Sequence, residues 1–240
     1  MWVIKLGGSL IGSPELISWL DILARFSHGK VIIVPGGGIF ADAVRQAQTL
    51  TQLNDQAAHK MAVLAMNQYG ELIANLNPAI VTAASELEIA ERGFQHRAMV
   101  WLPSQMICAD DTIPTNWDVT SDSLAAWLAA KLNAEHLVLV KSADINKYFL
   151  GEYLASNSFS SDYLKPNVRN FSYPLDDSLS HPIALQTLVD NGLVDTALKG
   201  FVTGQHFSTW VISKHSYKAF EEGIDTDKLS AAALLVNPID

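Results

Sequence analysis

MWVIKLGGSL, residues 1–10, decides the fold. Trp2, Val3 and Ile4 are β-formers in a run short enough for one strand. Lys5 continues the run, and Gly7-Gly8-Ser9 ends it. Glycine has no Cβ, so main-chain N–H groups at such a turn can approach a ligand closely. Successive N–H groups cradle an anion, and an adjacent lysine neutralises it. The first strand therefore ends in a candidate phosphate site.

The same grammar repeats downstream. Val31 to Val34 is a continuous apolar strand ended by Pro35-Gly36-Gly37-Gly38, and a helix follows through Phe40, Val44 and Ala47. Ser13-Pro14-Glu15 opens a helix between these strands, since proline is tolerated in the first turn. Its apolar face is Leu16, Ile17, Leu20, Leu23 and Ala24, and His28-Gly29 stops it. A long helical pattern spans about Asn54 to Leu76. Strands are expected at 79–82, 98–102, 137–140 and 209–212, and helices after Ser85, over 121–132, over 183–191 and over 217–222. Alternation of strand and helix with short turns predicts a three-layer αβα sandwich on a mostly parallel open sheet. Ligands of such sheets bind beyond the carboxyl ends of the strands, where the glycine turns lie. The segment from about Lys147 to Ser180 reads as a long loop or hairpin.

The chain has 240 residues, 49% of them hydrophobic and 17% charged, which suits one large domain with a buried sheet. Its net charge of −9 argues against nucleic acid or an anionic membrane as partner. No apolar stretch is long enough to span a bilayer, and no signal segment is read, so the expected location is the cytoplasm. The lone Cys108 excludes an internal disulfide and is expected to be buried or half-buried. The seven histidines lack metal-ligand spacing, and His59 and His96 are read as core or surface residues. Met61, Leu64 and Met66 are read as core packing.

Three segments carry the chemistry: Lys5 to Ser9, Pro35 to Gly38, and Asp118-Val119-Thr120-Ser121-Asp122. Neither GxxxxGK[ST] nor GxGxxG is present, so this is neither a Walker A loop nor a dinucleotide fingerprint. Two glycine clusters at two strand ends suit transfer of a phosphoryl group between two anions, although a tight strand-to-helix turn alone would explain Gly36 to Gly38. Trp117 either flanks a substrate ring or staples the helix that follows it.

These residues resemble the amino acid kinase family in Lys-x-Gly-Gly-Ser at 5–9, Pro-Gly-Gly-Gly at 35–38 and Ser-Asp at 121–122. VPGGGIFADAVRQ, AHKMAVLAMNQYG and WDVTSDSLAAWLA are most similar to the archaeal-type subgroup that phosphorylates a furan-type phosphomonoester. The resemblance runs from Met1 to about Ile145. It implies an ATP- and Mg²⁺-dependent kinase with a small phosphorylated acceptor, working as a homo-oligomer. An acyl-phosphate-forming kinase or a non-catalytic binder on the same fold are the alternatives. It further implies a single domain over 1–240, with an acceptor half to about residue 135 and a nucleotide half beyond. Lys5 would bridge the transferring group, with Asp122 orienting it, and Gly7, Gly8 and Ser9 would hold nucleotide phosphates. Gly36, Gly37, Gly38, Asp42, Arg45, Asp118 and Thr120 would serve the acceptor. Lys141, Ser142 and Asp144 occupy the place of a nucleotide segment, with Ile145 where relatives carry glycine. A Gly-Gly-Met-x-x-Lys segment found in many relatives is missing. Lys199 is either its stand-in at the leaving phosphate or a solvated lysine at a helix end.

Overall fold

In the computed structural model, residues 1–26, 29–143, 145, 182–225 and 229–238 are described. Among the described residues, eight strands form one sheet in the order β3-β4-β2-β1-β5-β7-β8-β6. They are β1 (Trp2–Leu6), β2 (Val31–Pro35), β3 (Ile80–Ala83), β4 (Ala98–Trp101), β5 (His136–Lys141), β6 (Ile183–Ala184), β7 (Ser208–Ser213) and β8 (Leu234–Asn237). The six from β3 to β7 in that order run parallel, and β8 is antiparallel to β7. The helices are α1 (Pro14–Ala24), α2 (Gly38–Thr51), α3 (Asp55–Leu76), α4 (Glu86–Gly93), α5 (Ser104–Ile107) and α6 (Ser121–Lys131). Beyond β5 come α7 (Leu185–Asp190), α8 (Leu198–Val202) and α9 (Tyr217–Asp225). The layered α/β architecture follows the strand-helix alternation of the sequence.

Strands β1, β2 and β5 are apolar on both faces because helices cover both. Alternation sorts their side chains. Trp2, Ile4 and Leu6 join the cluster with Trp19, Leu20 and Leu23 of α1 and Phe220 of α9. Val3, Leu137 and Leu139 join the opposite cluster with Leu124, Ala125 and Leu128 of α6. By the same parity Lys5 and Lys141 fall on the α6 face, two residues beyond Val3 and Leu139. Their basic heads therefore meet the N-terminal turn of α6.

Several expectations are corrected. Ile183–Ala184 is a strand paired with β8, and the helix begins only at Leu185. Strand β8 is an additional strand: the short apolar run Leu234-Leu235-Val236, ended by Asn237-Pro238, pairs antiparallel with β7. Cys108 is exposed, since it sits at the C-terminal end of the short α5 rather than under it. Met66 is buried, but Met61 and Leu64 are 40% and 45% exposed on the outer side of α3. His28, Asp144 and the segment 147–180 lie outside the described residues. Among the described residues, no helix is long and apolar enough to cross a membrane.

Candidate active site at the tips of β1, β2 and β5

The glycine turns after β1 and β2 are in direct contact. The Gly36 N–H donates to the Leu6 carbonyl at 2.8 Å. A Cβ on Gly8 would lie 2.1 Å from the Gly38 nitrogen, and one on Gly36 would lie 2.4 Å from the Gly8 nitrogen. Gly38 has φ +53°, in the left-handed region that glycine alone adopts freely. Both clusters are thus required by close main-chain approach. Gly8→Ala has no flexible side chain to displace, only main chain. We expect it to destabilise the protein by ~1–3 kcal/mol and to lower the melting temperature by several degrees. A thermal melt compared with Gly200→Ala, whose added Cβ meets nothing within 4 Å on ordinary helical backbone, checks this.

A cleft of about 420 Å³ opens at these turns. Gly8 and Ser9 line it from β1, Gly37, Gly38, Asp42 and Arg45 from β2 and α2, His59 and Met66 from α3, and Trp117 to Leu124 in part from α6 and the turn before it. Arg45 pairs with Asp42 at 2.9 Å and stacks over Trp117 at 4.4 Å from the ring centroid. The Trp117 indole N–H donates to Gln48 Oε1 at 2.7 Å, which holds the ring as one wall of the cleft. His59 is buried, and its Nε2 has no hydrogen-bond partner. Burial lowers its pKa, against the Asn116 carbonyl, which raises it.

Behind the cleft wall, Lys5 and Lys141 share one carboxylate. Lys5 Nζ lies 3.0 Å from Asp122 Oδ1, and Lys141 Nζ lies 2.5 Å from Asp122 Oδ2. Only the Lys141 contact has hydrogen-bond alignment, and Oδ1 receives no aligned donor. The three side chains are 8%, 11% and 5% exposed for Lys5, Lys141 and Asp122. Burial alone would raise the Asp122 pKa, but the Lys141 and Lys5 charges outweigh it and hold the carboxyl well below its usual range. Burial pulls Lys141 down to about 8, against Asp122, which raises it. Lys5 does not itself line the cleft. Its Nζ sits 3.5 Å from where a Gly7 Cβ would be, directly under the glycine turn.

The other expected residues are spread around this centre. Ser9 Oγ donates to Ser142 Oγ at 3.1 Å, tying the β1 turn to the β5 tip. Gly36 packs the two turns together and is absent from the cleft lining. Thr120 lines the cleft, but its N–H and hydroxyl both donate to Asp195, at 3.0 and 2.8 Å. The Ser123 N–H and hydroxyl donate to the same carboxylate, which therefore caps α6. Asp118 is exposed, accepts from the Thr196 hydroxyl at 3.3 Å and does not line the cleft. Lys199 is half-buried on α8, away from the cleft lining, and Asp122 pairs with Lys5 and Lys141 instead. Asp195 and the cleft position of His59 escaped sequence reasoning. The cap comes from more than 70 positions downstream, and a histidine five residues into a helix carries no local mark.

The profile of the amino acid kinase family matches residues 1–145 of this chain. The [5-(aminomethyl)furan-3-yl]methyl phosphate kinase of Methanocaldococcus jannaschii is 28% identical over 146 residues, 60% of this chain and 67% of that protein. Uridylate kinase from Archaeoglobus fulgidus superposes with a TM-score of 0.60 at 17% identity, covering 98% of this chain and 99% of its own. UMP kinase from Ureaplasma parvum superposes with a TM-score of 0.63 at 14% identity, over 98% of each chain. The paired glycine turns, the lysine beneath them and the family match agree: this chain belongs to the amino acid kinase family.

Proposed function

We propose that the protein is an ATP-dependent kinase that transfers the γ-phosphoryl group to a small phosphomonoester and yields a diphosphate. The observation that carries this is the contact of two glycine turns at the tips of β1 and β2 above buried Lys5. The strand order supports this layout: the β2 tip would serve the acceptor and the β5 tip the nucleotide, with β1 between them. This corresponds to an acceptor half up to about residue 135 and a nucleotide half beyond it, within one domain.

Phosphoryl transfer asks for alignment and charge neutralisation more than for covalent help. A phosphomonoester is dianionic near neutral pH, because its second pKa is about 6. An acceptor oxygen is therefore already ionised, and no general base is required. That oxygen attacks the γ-phosphorus while the bond to the β,γ-bridging oxygen breaks, and the electron pair departs on ADP. Lys5 and the amides of Gly7, Gly8 and Ser9 supply positive field at the transferring group. The amides of Gly37 and Gly38, at the start of α2, receive the acceptor phosphate. Arg45, Trp117 and His59 surround the rest of the acceptor, and the flat Trp117 face suits a ring. The relative's named substrate, a furan carrying a methyl phosphate, has that shape.

Mg²⁺ is part of this proposal as a companion of the nucleotide. Among the described residues, no group of three His, Cys, Asp or Glu side chains could cage a metal. The ion would thus be held chiefly by phosphate oxygens, as is usual for Mg²⁺ at kinase sites. The exposed apolar positions Met61, Leu64 and Leu76 on α3 fit a homo-oligomer, and we place the enzyme in the cytoplasm as part of the same proposal.

The test is a product assay with ATP and Mg²⁺ against phosphomonoester and carboxylate acceptors, including [5-(aminomethyl)furan-3-yl]methyl phosphate and UMP. Formation of a diphosphate and ADP in equal amounts is expected. Acyl phosphate trapped by hydroxylamine would indicate a carboxylate kinase. Nucleotide binding by calorimetry with no ADP formed from any acceptor would indicate a non-catalytic binder.

A further inference from the structure

We propose that Lys141 is a second catalytic lysine, whose ammonium neutralises the leaving side of the phosphoryl donor while Lys5 neutralises the transferring group. The proposal deepens the kinase reading and rests on it. Its basis is the arrangement of charge. Two ammonium groups face one carboxylate, 2.5 and 3.0 Å away, in a cluster that is almost sealed from water. Among the described residues in direct contact, two positive charges and one negative leave a net charge of +1. A buried surplus of this kind is costly unless an anion completes it.

Among the described residues, three charged groups face Lys141. Asp122 reaches it from α6, Lys5 from β1, and Asp195 from the turn ahead of α8. Asp195 is occupied by four donors of Thr120 and Ser123 at the N-terminus of α6. Among the described residues, Asp122 is therefore the one carboxylate that Lys141 pairs with, and it is shared. The position fits the leaving side. Lys141 closes β5, and the neighbouring Ser142 is tied to Ser9 of the glycine turn. The acceptor turn lies on the other flank of β1. As the β,γ-bridging bond breaks, negative charge grows on the ADP oxygen at the Lys141 side. No proton need move, and the ammonium stays protonated throughout.

The role requires a charged amine, and burial has pulled Lys141 down to about 8. The free enzyme should lose kcat/KM as pH rises through that value. Arginine stays charged, so Lys141→Arg should lack this alkaline limb even if its overall rate is lower.

The experiment combines Lys141→Ala, Lys141→Arg and Lys199→Ala with wild type, followed from pH 6 to 10. Lys141→Ala is expected to lose on the order of 100-fold in kcat while its melting temperature shows a folded protein. The wild-type alkaline limb is expected to disappear in Lys141→Arg. A second arm needs no turnover: binding of a non-hydrolysable ATP analogue, by calorimetry at pH 7 and pH 9. Wild type is expected to weaken about tenfold between them relative to Lys141→Arg, as one pH unit past the pKa removes nine-tenths of the charge. If wild type phosphorylates no acceptor, the kinase reading fails, and this arm still decides whether Lys141 grips the nucleotide. An alkaline limb that persists in Lys141→Arg, with equal binding shifts in the two proteins, would overturn the proposal. So would a near-wild-type Lys141→Ala beside a Lys199→Ala that has lost its activity.

Discussion

Lys5→Ala is expected to fold and to lose on the order of 100- to 1,000-fold in kcat, the effect of removing one preorganised electrostatic donor, about 3–4 kcal/mol of barrier. The fold should survive for a specific reason. Without Lys5, Asp122 keeps its hydrogen-bonded partner Lys141, so a one-to-one pair remains and no buried charge is orphaned. The lost lysine stem leaves a small void under Gly7, and a stability change within about 2 kcal/mol is anticipated. Lys5→Arg should rescue poorly, because a planar guanidinium has no room beneath a glycine turn whose Cβ position lies 3.5 Å from Nζ. Single-turnover kinetics beside a thermal melt separates the two effects. A Lys5→Ala enzyme with wild-type kcat would remove the lysine from the mechanism.

Asp122→Asn has the opposite profile. It should damage stability as well as activity, since it leaves two buried ammonium groups with no counter-charge. Breaking a buried pair in this way typically costs about 3–5 kcal/mol. The deficit should depend on pH in a definite direction. In wild type, burial holds Lys141 near 8, and Asp122 is what keeps it from falling further. Without Asp122 the folded protein would release that proton already near neutrality, whereas the unfolded lysine holds it to about 10.4. Where the unfolded state binds more protons, stability rises with pH. The variant should therefore recover part of its deficit between pH 7 and 8, a window in which wild-type Lys141 goes only from mostly charged to about half charged. In wild type Asp122 has the same sign in a more acidic window. Its carboxyl is held low in the fold, so its contribution is present above the ordinary carboxylate range and is lost on acidification. Urea melts at pH 7 and pH 8 check the first claim, and a constant difference between the two proteins would refute it.

The parts of the site that were legible in the sequence are those with local causes. A glycine run after an apolar run marks a strand tip wherever it occurs, so Gly7-Gly8 and Gly36 to Gly38 could be read before their contact was seen. The Ser85 cap is of the same kind: its hydroxyl accepts from the Glu88 N–H, three residues on. What could not be read depends on which strands become neighbours. Lys141 meets Lys5 because β5 lies beside β1, with Lys5 opposite Leu139. Asp195 caps α6 because α8 packs against it. Strand β8 runs antiparallel to β7 and carries β6 on its other side, a pairing that the local sequence does not specify. Trp117 was ambiguous for a further reason. Wall of a cleft and support of a helix are both roles for a large ring, and only the stacked Arg45 and the bond to Gln48 decide which face is offered.

The interlocked turns of Gly8 and Gly38 have a consequence for how such enzymes diversify. The gap between giver and receiver is a main-chain dimension, fixed by the pairing of two adjacent strands. On the proposed reading, the cleft side chains at 45, 59 and 117 could be exchanged to admit a new acceptor while the reach of the reaction stays as it was. Innovation in what is bound and constancy in how far the group travels are handled by separate parts of the chain.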